Sequence, residues 1–355
     1  MPSRRLPQTA AALDLTGLTG PVSLREVNEF YRRTRVPVGR RWWSVAITIA
    51  VFLAAEAIFL KVMMPAFGLD SALSDAVYGG FLVFTGLYAL LLGSIIWRNA
   101  ARPARIFRTA EANHLTYSDR GPIGPRLPGS VMAGANAFVV TTDVLSGGPP
   151  DNDLPRFTAA TLAPQVAGTR RRHGIAAIAL DRQTPHIVLE NRRARVLQTT
   201  GRRFRSQQKL SLEGDFDRTF TLYCPLGYET DALYIFTPDL MALMIDLASD
   251  CEAELVDGWL VLYSGRPWRL STPRGFTRLI SLIDLVGRKM RSRTELYRDD
   301  HADAHTAIAT PGRRLRARPS WGAVASTIVP AAFIALGLVS MVFERPFGEL
   351  TLVAC

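Results

Sequence analysis

Three long apolar segments, Trp42–Met64, Val77–Trp97 and Trp321–Phe343, dominate this sequence. A helix of about 20 apolar residues crosses the hydrocarbon core of a bilayer, and each segment supplies that length. Each segment also has tryptophan at one end, where the amphipathic ring favours the headgroup layer. The sequence therefore predicts three transmembrane helices and excludes a purely soluble enzyme.

Arginine-rich flanks fix the expected orientation of these segments. The 355-residue chain has a net charge of +11, yet residues 65–76 contain no Lys or Arg. Because Lys and Arg are retained on the cytoplasmic side, we expect a multi-pass inner-membrane protein whose N-terminus and residues 98–320 are cytoplasmic. Residues 344–355 then form a short extracytoplasmic tail. The flanking arginines are Arg32, Arg33, Arg35, Arg40, Arg41, Arg98, Arg102, Arg105, Arg108, Arg313, Arg314, Arg316 and Arg318.

Polar and small residues inside the first two segments suggest contacts between helices. Glu56 is the one acidic residue within a segment, and an intramembrane acid is a functional candidate by default. The alternatives are that Glu56 handles protons or ions, that its side chain extends to the membrane surface, or that it forms an interhelical hydrogen bond. Gly79, Gly86 and Gly93 recur every seven residues, which would let another helix approach closely. The alternative is that they are ordinary glycines of a membrane helix.

The region before the first segment divides into two parts. Residues 1–20 lack apolar periodicity, so we expect a disordered tail. Residues 21–41 predict a juxtamembrane amphipathic helix, which begins with the capping-box spacing of Ser23 and Glu26. A short basic helix next to a membrane segment is expected to lie on the inner leaflet.

Residues 98–300 alternate strand and helix patterns in the manner of an α+β domain. Ile175–Leu180 and His186–Glu190 are short apolar runs that predict a hairpin. Asp257-Gly258 stands between two further apolar runs and is a stronger hairpin signal. The sequence thus predicts an antiparallel sheet with at least two packed helices.

Helix signals appear in the second half of this domain. The run Ala232–Phe236 predicts a strand that leads into a helix at Thr237 and Pro238. A longer amphipathic helix follows from Phe276 and ends in cations. Residues 301–320 are then a basic linker to the third apolar segment.

A resemblance to a known family covers residues 185–265. It rests on the stretches that begin at Leu210, Asp231 and Val256, with a "Leu-Glu-x-x-Phe" strand, an "Ala-Leu-Tyr-x-x-Thr-Pro" strand-to-helix junction and a closing hairpin. In these motifs the chain resembles a family of uncharacterised bacterial multi-pass membrane proteins, whose cytoplasmic α+β domain is a domain of unknown function. The resemblance implies two N-terminal membrane helices before the domain, and no catalytic residue.

Two polar clusters are candidate reaction or metal sites. Paired carboxylates can carry acid–base chemistry or hold a hard cation. His301 and His305 have the i, i+4 spacing of a helical metal site, although a polar linker explains them better. The simpler interpretation of the carboxylates is that they are solvated acids at strand ends. These carboxylates are Glu213, Asp215, Asp217, Glu229 and Asp231.

A basic run from Arg192 to Lys209 contains no acid, and residues 170–172 add three arginines. It could bind nucleic acid, an anionic nucleotide or the anionic inner leaflet, or be a solvated loop. Phe204 is its one aromatic residue, which disfavours nucleic acid, whereas tethering to a bilayer favours the leaflet. The arginines that we expect to contact anionic lipid are Arg40, Arg41, Arg98, Arg102, Arg105, Arg202, Arg203, Arg205, Arg313, Arg314, Arg316 and Arg318.

The cysteines indicate neither a disulfide framework nor a zinc site. Cys224 and Cys251 are expected to be small buried hydrophobes in a reducing compartment. The sequence assigns no catalytic, cofactor or metal residue. The leading hypothesis is a cytoplasmic interaction or sensing module, with a membrane protein or a second copy as partner. The alternatives are a membrane-bound enzyme that uses the 213–231 cluster on a lipid head group or nucleotide, and an accessory subunit of a transporter or channel.

Overall fold

The computed structural model describes residues 13–34, 39–62, 71–120, 128–134, 139–164, 172–191, 193–197, 202–212, 215–302 and 306–319. Among the sequence-based predictions, the third apolar segment, the tail 344–355, Glu213 and His305 lie outside the described residues. The helices are α1 Thr16–Thr19, α2 Leu24–Arg33, α3 Gly39–Val62, α4 Ser71–Ala112, α5 Ser130–Gly134, α6 Phe216–Thr219, α7 Glu229–Ile235, α8 Pro238–Ala248, α9 Pro273–Ser281, α10 Gly287–Thr294 and α11 Thr310–Arg313. The strands are β1 Thr116–Arg120, β2 Val139–Gly147, β3 Phe157–Pro164, β4 His173–Ala179, β5 Ile187–Asn191, β6 Arg202–Phe204, β7 Lys209–Leu210, β8 Phe220–Tyr223, β9 Cys251–Val256, β10 Trp259–Ser264 and β11 Ala317–Pro319.

The centre of the fold is a nine-stranded antiparallel sheet in the order β1-β2-β3-β4-β10-β9-β5-β8-β7. The predicted turn at Asp257-Gly258 is confirmed, because both residues have positive φ and join β9 to β10 in register. The predicted hairpin of β4 with β5 is wrong. The β9–β10 hairpin is inserted between these two strands, so β4 pairs with β10 and β5 pairs with β9.

Helices cover one face of this sheet. The buried faces of α8, α9 and α10 and the C-terminal part of α4 form the larger core with strand residues such as Leu222, Ala253 and Leu262. Between α9 and α10 the helix widens into one π-helical segment, Leu282–Val286. Cys224 and Cys251 are buried on this side, as predicted, and their thiols are free.

The long helix α4 joins the apolar segment to the domain. It runs unbroken for 42 residues, so the expected domain boundary at residue 98 falls inside a helix. Its last turns are buried in the domain core at Ala101, Ile106 and Ala110. A tight turn at His114, where φ is 55°, returns the chain into β1.

The N-terminal region is more ordered than its composition predicts. Within the expected disordered tail, residues 13–20 include α1, and Gly17 packs so closely on Thr109 that an added Cβ would lie 2.3 Å from its hydroxyl oxygen. The capping box of α2 is confirmed, with Ser23 and Glu26 bonded reciprocally. However, the apolar face of α2 packs on α4 through Phe30 and Phe107, whose ring centroids lie 5.3 Å apart, so it is not free to enter a leaflet.

Extended segments cover the second face of the sheet. Residues 194–197 and Leu315 pack on β4, β9 and β10 there, and β6 pairs with β11 above them. The predicted linker 301–320 is therefore part of the fold over residues 306–319. Its strand β11 places Pro319 opposite Arg202 in the register.

One predicted strand is a helix. Ala232, Ile235 and Phe236 are buried whereas Leu233 and Tyr234 are exposed, which is the helical spacing of α7 rather than the alternation of a strand. The apolar composition of Ala232–Phe236 concealed that spacing. The resemblance motif at Thr237-Pro238 is accordingly a helix-to-helix junction.

Candidate membrane interface and buried carboxylate cluster

Helices α3 and α4 form an antiparallel hairpin whose contacts are mostly aromatic. The ring of Phe52 stacks on Tyr88 at 5.1 Å between centroids, and Phe59 lies 5.4 Å from Phe81. In the middle of this interface, the buried Glu56 carboxylate accepts a hydrogen bond from the Thr85 hydroxyl. Of the roles weighed for Glu56, this geometry matches the interhelical hydrogen bond.

The outer surface of the hairpin is apolar and exposed. Eleven large side chains on α3 and α4 have exposed fractions between 42% and 73%. A water-soluble monomer rarely exposes so large a contiguous apolar surface. These side chains are Ile47, Val51, Leu53, Ile58, Phe59, Val83, Phe84, Leu87, Leu90, Leu91 and Ile95.

Length and composition support fewer spans than the sequence predicts. Among the described residues, one helical stretch, Gly79–Ala112, is long and apolar enough to cross a membrane, with a mean hydropathy of 2.0 over its most apolar 18 residues. Ala50–Phe59 is a shorter apolar helix. The structure therefore gives no support for three spans, and the predicted third segment lies outside the described residues.

The arginines that were predicted to contact lipid separate into different environments. Arg98, Arg205 and Arg316 are exposed. Arg102 and Arg314 instead form two-pronged ion pairs with Asp143 and Asp257. Arg105 is half-buried, and Arg313 donates to the carbonyl oxygen of Ile308. The described side chains do not include those of Arg40, Arg41, Arg202, Arg203 and Arg318.

Arg102 marks the point where α4 enters the domain. Its guanidinium bonds both carboxylate oxygens of Asp143 at 2.7 and 3.1 Å, and the hydroxyl of Tyr117 donates to the same carboxylate at 2.9 Å. Asp143 has φ of 53° within an irregularity in the β2–β3 register, which turns its side chain toward α4. Burial, followed by the charge of Asp143, raises the pKa of Tyr117 and keeps it a donor.

Glu254 on β9 is a fully buried acid that accepts four hydrogen bonds. Its carboxylate accepts from His186 Nε2 at 2.7 Å, Tyr263 Oη at 2.6 Å, and the amide and hydroxyl of Ser130 at 2.8 and 2.6 Å. Burial alone disfavours the charge, but these donors outweigh it and lower the pKa of Glu254 to about 2. Gly129 (φ 110°) allows this approach, because a Cβ there would lie 2.0 Å from the Tyr263 hydroxyl.

The Ser130, His186 and Glu254 group is not a catalytic triad. His186 Nδ1 accepts from the Leu315 amide at 2.9 Å, so its proton is on Nε2, which faces Glu254. The serine hydroxyl also donates to Glu254, and both ring nitrogens of His186 already bond other groups, so His186 is not placed as a base for this serine. The cluster instead joins α5, β5 and the segment before β11 through one buried carboxylate.

Glu252, two residues earlier on β9, is fully buried on the same face. It accepts backbone hydrogen bonds from Leu197 at 2.6 Å and Asn191 at 3.4 Å. Here burial is the dominant effect and raises the pKa of Glu252 to about 7. This acid anchors the basic segment 193–197 to the sheet.

The described carboxylates of the 213–231 cluster bind separate partners. Asp215 pairs with Arg218, Asp217 accepts from Ser211 and Leu212, and Asp231 accepts from Tyr297. No group of three potential metal ligands occurs within the described residues. His301 lies 3.3 Å from Asp299, while His305 is outside the described part of the chain.

Comparison with known protein families, with curated proteins and with solved structures gives no match for this chain. The resemblance of residues 185–265 to a bacterial membrane-protein family therefore stays a prediction.

Sequence reasoning missed the buried acids of β9. Glu252 and Glu254 alternate with Cys251, Ala253 and Leu255, which is the usual pattern of a strand with one wet face. The signal that was available is the adjacent Tyr263, which alternates onto the same face of the next strand. A large aromatic residue beside both acids would have indicated that this face of the sheet is covered and that the acids are buried.

Proposed function

We propose that this chain is an integral inner-membrane protein whose central α+β domain is a cytoplasmic interaction or sensing module. The α3–α4 hairpin and the apolar segment Trp321–Phe343 would span the bilayer. The observation that carries this proposal is the exposed apolar surface of the hairpin, because lipid removes the cost of leaving those side chains in water.

Charge supports the orientation of this arrangement. Arg98 is exposed directly after Trp97, and Arg316 is exposed shortly before the third apolar segment. The positive-inside rule then puts the N-terminus and the domain on the cytoplasmic side and the C-terminus outside. The continuity of α4 supports a domain held directly at the leaflet rather than on a flexible tether.

Reporter fusions test this topology. A reporter that is active only outside the cytoplasm should give signal when fused after residue 70 and none after residue 200. The complementary cytoplasmic reporter should give the reverse pattern. Export of the fusion after residue 200, or a chain that stays monodisperse without detergent, contradicts the proposal.

The hairpin also favours a second function, an accessory subunit of a transporter or channel. A Cβ at Gly79, Gly86 or Gly93 would meet no described atom within 4 Å, so this face of α4 is open among the described residues. Purification in mild detergent tests this function, because a subunit brings a stoichiometric membrane partner. Glu56→Gln should weaken that association if the carboxylate takes part in it.

An enzyme that uses the acidic cluster has less support, because its described carboxylates bind separate partners. The double variant Asp215→Asn and Asp217→Asn checks this directly. Loss of a metal-dependent increase in melting temperature would favour the enzyme. An unchanged profile would leave the interaction module as the better account.

A further inference from the structure

Three arginines lie at one edge of the sheet, the edge that is formed by the ends of its central strands. Arg172 precedes β4, Arg193 follows β5 and Arg266 follows β10, and all three are exposed. The antiparallel register places these strand ends at the same edge, since Ser264 lies opposite both Gly174 and Cys251.

Backbone contacts hold the three loops together. The amide of Gly174 donates to the carbonyl oxygen of Arg266 at 3.1 Å. A Cβ on Gly265 would lie 3.0 Å from the carbonyl oxygen of Ala194, so the loop after β10 packs directly on the loop after β5. The loop after β5 is also held on the sheet, because the amide of Leu197 donates to the Glu252 carboxylate.

The same edge is directed toward the hairpin. The chain reverses at His114, so β1 runs back along α4 and ends at Arg120 on the side of the apolar segment. Because Arg120 lies opposite Thr142, β2 begins on the hairpin side. Val139 at the start of β2 lies opposite Pro164, so β3 ends on that side, next to the connection to β4. At a twist of about 20° per strand, β4 is turned by about 60° from β1, so the start of β4 stays on the hairpin side. The loops after β10 and β5 are held next to it by the backbone contacts described above.

We propose that Arg172, Arg193 and Arg266 form a docking surface for the anionic lipid of the inner leaflet. This inference rests on the proposed function, and it names the leaflet as the surface that the domain contacts. Among the described residues, no carboxylate forms an ion pair with any of these three side chains. Their guanidinium groups are thus available to phosphate oxygens of lipid head groups, which they bind in two-pronged geometry.

The β6–β11 pair brings a second part of the basic run to the same membrane. Pro319 pairs with Arg202, and the third apolar segment begins at Trp321, two residues later. If that segment spans the bilayer, residues 202–204 lie within a few residues of the leaflet. The domain is then attached on both sides of the proposed surface.

Hydrogen exchange of the full chain in nanodiscs tests the surface. Amides of residues 172–174 and 193–197 should exchange more slowly in discs containing phosphatidylglycerol than in discs of phosphatidylcholine alone. Each substitution among Arg172→Gln, Arg193→Gln and Arg266→Gln should weaken the docking about fivefold. Raising the salt concentration should also reduce the protection.

A matched control uses exposed arginines at the opposite edge. Arg156→Gln and Arg182→Gln remove the same charge next to the start of β3 and the end of β4, and should leave the lipid effect intact. Equal exchange in both kinds of disc overturns the proposal. Protection of these amides by ATP or polyuridine in phosphatidylcholine discs, without a phosphatidylglycerol effect, also overturns it in favour of a soluble anion.

The docking surface and the proposed topology can be tested separately. Reporter fusions that fail at residue 200 contradict the proposed function itself. Correct topology with no lipid-dependent protection contradicts the docking surface alone.

Discussion

Glu252 and Glu254 lie two residues apart on one strand and point to the same covered face, yet their pKa values move in opposite directions. Burial raises that of Glu252 to about 7, whereas the donors around Glu254 lower its value to about 2. Two carboxylates of one strand therefore have opposite pH effects on the fold.

The stability of the domain should reflect both groups. Because folding raises the pKa of Glu252 from 4.5 to about 7, its contribution is complete below pH 4.5 and is lost as pH rises through 7. The loss is on the order of 3 kcal/mol. Chemical unfolding of the full chain in detergent between pH 4.5 and 8 should show this decline. Glu252→Gln should flatten it, and an equal decline in that variant would refute the assignment.

Glu254 should have the opposite effect at lower pH. Its folded pKa of about 2 lies below 4.5, so its contribution is present above pH 4.5 and is lost as pH falls toward 2. Glu254→Gln should remove this acid-dependent loss while lowering stability at pH 7, since Gln cannot accept from all of its donors. Unfolding midpoints of the variant and the natural protein over pH 2–5 give the comparison.

His186 connects Glu254 to the segment before β11. In His186→Leu, the Leu315 amide loses its acceptor and Glu254 loses one donor, at a cost of about 1–3 kcal/mol for an unpaired buried group. Trypsin should then cleave faster after Arg313 and Arg316. As the control, His114→Asn at an exposed turn with φ of 55° should change neither stability nor cleavage. Unchanged cleavage in His186→Leu would show that the segment is held by other contacts.

The Arg102–Asp143 pair should be needed for a rigid junction between α4 and the sheet. Asp143→Ala leaves Arg102 and the buried Tyr117 hydroxyl unpaired and should cost about 1–3 kcal/mol, since Arg102 is partly exposed. Glu29→Ala breaks an exposed i, i+4 pair with Arg33 and should cost much less, because water screens that pair. Equal losses in the two variants would argue against a special role for the junction.

The order of residues 13–20 depends on one close contact. Gly17→Ala would place a methyl group 2.3 Å from the Thr109 hydroxyl oxygen, so α1 should detach and its amides should exchange as in a free chain. Gly79→Ala, with no described atom within 4 Å of its Cβ, should instead leave exchange in residues 13–20 unchanged. Slow exchange of α1 in Gly17→Ala would contradict this packing.

Local sequence patterns predicted the local elements. The capping box of α2 and the Asp257-Gly258 turn follow from neighbouring residues alone, and both are present. Strand order is different, because β4 and β5 are close in sequence but separated by the β9–β10 hairpin. That insertion depends on contacts across some 70 residues, and short-range periodicity carries no information about it.

The candidate site could be predicted only in part, for the same reason: composition is visible in the sequence, whereas contacts between remote residues are not. Arginine-rich flanks and apolar length are properties of composition, so the membrane prediction could be made from the sequence. The orientation of the His186 ring depends on a backbone amide 129 residues away, at Leu315, which donates to its Nδ1. The packing of Gly265 on Ala194 likewise joins loops that are remote in sequence.

Helix α4 also contains Pro103, one residue after the Arg102 anchor. Proline has no amide hydrogen, so the backbone bond to the carbonyl of Asn99 is missing at this turn. Bending of the helix is therefore easiest between its apolar half and its domain half. In the proposed membrane arrangement, a tilt of the hairpin relative to the sheet would be absorbed at this one turn, while the Arg102–Asp143 pair keeps the domain half of the helix fixed on the sheet.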